Sequence, residues 1–145
     1  ALILGKLSNM RELDIQLILL PNSNLPEHSR YLTTNELITV LGNLLENAIE
    51  AVNMNQEGKP RNIVLQISED DKGLSINVSD TGIGIKPDIL PKIYDTGFST
   101  KDKKNRGVGM SLVKAVVDKH HGNIEVDSEP DNGTSFSIYI FEKCQ

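Results

Sequence analysis

Tryptophan is absent from this chain of 145 residues, tyrosine and phenylalanine occur three times each, and cysteine occurs once. So few aromatic rings leave little platform for stacking bases, and a net charge of -5 argues against a polyanion-binding surface. Nucleic acid is not expected as a partner. The lone Cys144 excludes a disulfide framework and a cysteine-rich zinc site, which suits a reducing compartment. No apolar run approaches the ~18–20 residues of a membrane-spanning helix, and the opening from Ala1 to Lys6 lacks the pattern of a signal peptide. No direct membrane contact is expected of this chain. A hydrophobic share of 38%, a charged share of 24%, 11 Gly and 6 Pro are ordinary values that exclude disordered and collagen-like classes. The chain opens inside an apolar-periodic stretch, Leu2, Leu4, Leu7, Met10 and Leu13, as if cut from a longer helix. The expectation is an excised domain, with residues 1–14 as the end of an upstream helix and connector and residues 15–145 as one folded unit.

Hydrophobic periodicity then maps the elements. Residues 15–20 read as a strand stopped by Pro21. Thr33 or Thr34 can cap a long helix in which Leu37, Leu41, Leu44, Leu45, Ala48, Ile49 and Val52 recur at helical spacing. Alternation through Ile63, Leu65 and Ile67 and through Leu74, Ile76 and Val78, with Asp70 to Gly73 between, predicts a hairpin. Residues 81–106 read as a long surface loop with one helical piece near residues 87–93, and that length is itself a functional hint. A helix follows with Leu112, Val113, Val116 and Val117, stopping at Gly122, and a second hairpin spans residues 124–141. The pattern predicts an α+β two-layer sandwich.

Four features suggest chemistry. At about 100° per residue, Glu36, Asn43, Asn47 and Glu50 share an arc opposite the leucine stripe of the long helix. Such a line is either a solvated face or a site, and two asparagines inside a helix need a reason other than propensity. Asn47 could supply a neutral oxygen to a hard cation such as Mg²⁺. Asp80, in phase with Leu74, Ile76 and Val78, aims a carboxylate at the apolar side of its strand, where a ligand amine or the following turn would have to satisfy it. Gly82 and Gly84 let a ligand approach the backbone, although Pro87 stands where a dinucleotide fingerprint wants glycine. Asn105 to Ser111 places flexible glycines at a helix start, just after Lys101, Lys103 and Lys104, which suits phosphate. Thr134, in phase with Phe136, Ile138 and Ile140, faces inward beside Asp80, as an ordinary strand residue or as one that shares a water with a base. His28, His120 and His121 read as surface or capping residues, not as a catalytic base.

The order of these features carries more than any one of them. Asn43-Leu44-Leu45-Glu46-Asn47-Ala48, Asp80-Thr81-Gly82-Ile83-Gly84, Tyr94 to Lys101 with Phe98, Gly107-Val108-Gly109-Met110 and Gly133-Thr134 follow one another. This order resembles the N, G1, F, G2 and G3 boxes of the catalytic ATP-binding domain of sensor histidine kinases, in the GHKL superfamily. Leu4-Gly5-Lys6 through Ile15 is similar to the junction found in citrate and C4-dicarboxylate sensor kinases. The resemblance implies a Bergerat fold: a mixed, mostly antiparallel sheet backed by about three helices, with ATP and Mg²⁺ under a mobile lid. It implies that Asn47 ligates Mg²⁺, Asn43 lies beside the phosphates, and Glu46 serves as base or orienter for an acceptor imidazole. Asp80 would accept the adenine amine, with Ala51, Gly82, Gly84, Ile85 and Thr134 around the base. Thr100, Lys101, Gly107, Val108, Gly109 and Met110 would reach the phosphates.

Two departures stand out. Glu50 occupies a position where many relatives carry Lys or Arg, so the cation facing phosphate would come from Lys101 and its neighbours. No histidine lies in an acceptor-helix context, so the resemblance implies a γ-phosphate donor that needs a separate dimerisation domain, and then a response regulator, as partners. The parent would be a membrane sensor with this part in the cytoplasm, and the fragment alone a monomer. The competing readings are a GHKL ATPase, disfavoured because Asn43 stands where those enzymes carry a water-activating Glu, and a nucleotide-sensing or docking domain without transfer.

Overall fold

The computed structural model describes residues 7, 8, 10–21, 23, 29–94 and 109–142. Five strands form one sheet in the order β1-β2-β3-β5-β4. They are β1 (Gln16–Leu19), β2 (Asn62–Asp70), β3 (Gly73–Asp80), β4 (Asn123–Ser128) and β5 (Thr134–Phe141). β1 runs parallel to β2, and every other pairing is antiparallel. Two long helices, α1 (Thr34–Asn53) and α2 (Gly109–Lys119), pack on one face, and residues 10–12 are helical ahead of β1. The expected mixed two-layer sandwich is the observed one. The helical piece near residue 90 is a single 3₁₀ turn, Leu90–Lys92, because Pro91 lacks the amide that a longer helix would need there.

Strand alternation decides which face holds the core. Ile63, Leu65, Ile67, Leu74, Ile76, Val78, Phe136, Ile138 and Ile140 point to the helices and are buried. Against them α1 lays Val40, Leu41, Leu44, Leu45, Ala48, Ile49 and Val52, the larger of these each gaining roughly 1.5–3 kcal/mol by burial. The opposite face is polar near the Asp80 end, where Asn77 donates to Ser135 and Ser137 and Ser79 donates to Asn77, while Tyr139 and Phe141 stack exposed at the far end of β5. Its polar part closes its own hydrogen bonds and does not need a covering layer.

Helix ends are set by specific side chains. Thr33, not Thr34, is the N-cap of α1: its hydroxyl accepts from the Glu36 amide, and its own amide donates to Glu36 Oε1. The helix ahead of β1 ends in a Schellman motif, with Ile15 N bonded to Met10 O, Asp14 N to Arg11 O and Asp14 at φ 60°. At the end of α2 the left-handed residue is His121, φ 53°, one residue before Gly122. Gly122 matters for space instead, since a Cβ there would lie 2.5 Å from Tyr139 O.

Glu36, read from the sequence as part of a polar line, is consumed by structure. Besides closing the cap it accepts from His120 Nε2 at 2.9 Å and pairs with Lys119 Nζ at 3.1 Å, which pins the start of α1 to the end of α2. Burial pushes this carboxyl up, but the Thr33 amide, His120 and Lys119 outweigh it and hold the pKa at about 2, against 4.5 for an ordinary Glu. A depressed carboxylate stabilises the fold above its unfolded pKa and loses that contribution as pH falls through the folded one. Acidification from pH 4.5 to 2 should therefore remove on the order of 1–3 kcal/mol through this group. Denaturant midpoints at pH 6 and pH 3 should converge more in Glu36→Gln than in the parent chain.

Candidate nucleotide site

The two helices and the ends of the central strands converge on the residues singled out from the sequence. Asn43, Glu46, Asn47, Glu50 and Ala51 are half-buried on α1. α2 runs back along α1 and sets its first residue, Gly109, against Asn43: a Cβ at 109 would lie 2.9 Å from Asn43 Oδ1. The Asn43 amide donates to Thr39 O at 2.7 Å, one turn back on its own helix, which fixes its plane and leaves Oδ1 toward Gly109. Met110 is buried behind. The start of α2 thus brings helix-end amides, which favour anions, close to the asparagine face. Thr100, Lys101, Gly107 and Val108, like Phe98, lie outside the described residues.

The opposite end is built around Asp80. It pairs with Thr134 across β3 and β5, and both face the helices. Gly82 N donates to Asp80 Oδ1 at 2.8 Å, which orients the carboxylate. The turn-capping role weighed for Asp80 is therefore present in the structure. Gly82 abuts α1, where an added Cβ would come within 2.6 Å of Ala51, and Ile83 N donates to Ala51 O at 3.3 Å. Gly84, φ 74°, lies against the backbone of Glu129, and Gly133, φ 84°, lies against Asp80 O, in each case with no room for a Cβ. Both positions demand glycine on conformation and on space.

Two residues that the sequence reading passed over complete this end. Ser128 Oγ accepts from Ile85 N at 2.8 Å, donates to Gly133 O and lies 2.7 Å from Thr134 Oγ1. It joins the loop after β3 to the turn between β4 and β5, and its phase with Ile124 and Val126 was the available signal. Asn55 donates to Thr81 O at 2.7 Å from just beyond α1. An open cleft of about 290 Å³ at this strand end takes in Asp80, Gly133 and Thr134 but also Ser79 and Ser135 of the other sheet face, and nothing from α1. It is therefore not the space between α1 and the sheet, where the candidate residues converge.

The donor set also bears on a metal. Among the described residues no three His, Cys, Asp or Glu side chains gather to hold an ion. Asn47, one helical turn beyond Asn43, offers a single neutral oxygen donor. That fits a cation that keeps waters and brings other oxygen ligands with its substrate, as Mg²⁺ does, and does not fit an all-protein cage.

Comparison with known proteins decides the family. The model for histidine kinase-, DNA gyrase B-, and HSP90-like ATPases matches residues 33–143. The chain belongs to this family. A probable C4-dicarboxylate sensor kinase of Halalkalibacterium halodurans is 38% identical over 142 residues, covering 98% of this chain and 26% of that protein. The sensor histidine kinase DcuS of Escherichia coli K12 is 38% identical over 138 residues, 95% of this chain and 25% of that protein. The chain thus spans about a quarter of the length of the curated relatives it matches, which are sensor kinases of the type suggested by its opening residues. Among solved structures, the mycobacterial sensor histidine kinase MprB superposes with a TM-score of 0.71 at 22% identity, covering 97% of this chain and 93% of that one. Full-length ShkA in complex with AMPPNP gives 0.72 at 23% identity, over 96% of this chain and 29% of that one. The fold is that of a histidine kinase catalytic domain.

Ser128→Ala should strand the Ile85 amide and the Thr134 hydroxyl together, costing about 1–3 kcal/mol. Thermal unfolding should register that loss, and hydrogen exchange at Ile85 should quicken while the hairpin of β2 and β3 is unchanged.

Proposed function

We propose that this domain binds Mg·ATP between α1 and the end of β3 and donates the γ-phosphate to a histidine on a separate dimerisation domain, for relay to a response regulator. The observation that carries the reading is the pairing of Asp80 with Thr134, oriented by Gly82 and backed by Ser128, at one end of α1, with Asn43, Asn47 and the start of α2 farther back along the same helix. A carboxylate aimed inward suits the exocyclic amine of adenine, and the helix-end amides suit phosphates. In this reading Ala51, Gly82, Gly84 and Ile85 shape the base pocket, and Gly107 to Met110 with Thr100 and Lys101 meet the phosphates. Asn47 would hold Mg²⁺, which would supply positive charge to offset that of the phosphates. Catalysis then rests on positioning more than on covalent chemistry by the chain. Asn43, held by Thr39 O, flanks the phosphates, and Glu46 orients or deprotonates the incoming imidazole. Residues 1–14 act as the connector to the acceptor domain and residues 15–145 as the catalytic unit. The parent is a membrane sensor with this part in the cytoplasm.

The ATPase alternative is weaker on one specific point. Asn43 carries an amide, which cannot take a proton from water, where the hydrolysing relatives are expected to carry Glu.

Titration calorimetry with a non-hydrolysable ATP analogue should show binding that strengthens with Mg²⁺. Asp80→Asn should weaken it roughly ten- to hundredfold, the cost of losing a charge-assisted hydrogen bond. Asn47→Asp should leave the fold intact and alter the Mg²⁺ dependence; unchanged affinity and transfer would remove Asn47 from the metal. Labelled ATP with the acceptor helices supplied separates transfer from docking, since tight binding without label on histidine would favour the docking role.

A further inference from the structure

Arg61, between α1 and β2, makes an unusual set of bonds for a surface-loop arginine. Its guanidinium donates to Leu13 O at 2.5 Å and Asp14 O at 3.3 Å, at the end of the helix ahead of β1. It also donates to Val52 O at 3.4 Å and Asn53 Oδ1 at 3.2 Å, in the last turn of α1. Its own carbonyl accepts from Gln16 N at 2.9 Å, where β1 begins. One planar group thus reaches acceptors at two helix C-termini, and a fork of donors suits that task where a single ammonium does not.

The backbone on either side of Arg61 is bound to the nucleotide loop. Thr81 Oγ1 donates to Pro60 O at 2.9 Å and accepts from Asn62 N at 2.9 Å, so one hydroxyl brackets Arg61. Thr81 N donates to Asn62 O, and Asn55 Nδ2 binds both Pro60 O and Thr81 O. Thr81 directly follows Asp80, and Ile83 N is held by Ala51 O, one residue before the carbonyl that Arg61 uses. The path from Leu13 and Asp14 to Asp80 therefore runs through hydrogen bonds joined by short stretches of backbone, and among the described residues Arg61 is the side chain in it that reaches the connector.

We infer that Arg61 is a positioning residue that couples the connector ahead of β1 to the adenine end of the site, so that movement of the connector changes how Asp80 and Gly82 are presented. The nucleotide part of this inference rests on the function proposed above; the mechanical part does not. The test uses the whole chain with Arg61→Ala and Arg61→Lys, read by amide hydrogen exchange and by affinity for an ATP analogue. Both variants should speed exchange at Gly82 and Ile83 by roughly tenfold, along with residues 13–16, while amides at the far hairpin, near Gly73, keep the parent rate. Affinity should fall several-fold, and lysine should not rescue it. Faster exchange confined to residues 13–16, with Gly82, Ile83 and affinity unchanged, would overturn the coupling. If the alanine variant does not fold, the lysine variant carries the same comparison. A parent chain that binds no nucleotide would overturn the proposed function, and the exchange pattern would still decide the role of Arg61.

Discussion

The carbonyls at the end of α1 have no intrahelical amides to bond, and the site depends on what fills them. Ala51 O takes Ile83 N, Val52 O takes Asn55 N and an Arg61 nitrogen, and Glu50 O takes Met54 N. A helix end left to water would impose no position on the loop after β3. Here Ala51 O, at the end of the helix, holds Ile83 in that loop, while sheet pairing with Ile63 and Thr134 places Asp80. The buried stripe from Val40 to Val52 fixes the helix on the sheet, and the bond from Ile83 transfers that fixed position to the loop.

The other end of α1 is fixed by charge. Glu36 closes the N-terminal cap and binds Lys119 and His120, so the two helices are joined where α1 starts and α2 stops. With Lys119 and His120 anchored there and Met110, Val113 and Val117 buried, Gly109 is held against Asn43. On the proposed function, one helix pair thereby sets the end of the candidate site that would meet phosphates, while the strand ends and the α1 terminus set the end that would meet adenine.

Much of this was legible in sequence, for an identifiable reason. Period-2 and period-3.6 patterns in β2, β3, β5 and α1 report which side of each element is buried, and that is what fixes them here. The inward phase of Asp80 and Thr134 follows from the same alternation. Strand pairing does not, so the parallel partnership of β1 with β2 was outside what the pattern could say. Arg61 was missed because its partners are mostly backbone carbonyls, up to 48 residues away, which leave no residue-type signature. Glu36 lay on the right face but its partners are on α2, 84 residues on in the case of His120, so periodicity grouped it with Asn43 and Asn47 instead of with the cap. The helix stop expected at Gly122 is observed, with His121 rather than a glycine in the left-handed conformation.

The two ends of the site differ in how much is built in advance. At the adenine end Gly82, Gly84 and Gly133 let backbone touch backbone, and Ser128 ties three segments through one oxygen. Groups held this way lose little freedom on meeting a flat, rigid base, which is the condition for tight binding from a small contact. At the phosphate end the described residues offer a helix start and two amide side chains, with no cage for a cation. On the proposed function, negative charge there would be met by what arrives with the nucleotide and by lysines such as Lys101. Affinity is thus expected to come mainly from the base, and the geometry of transfer from the metal and phosphates, so the two functions can be perturbed separately.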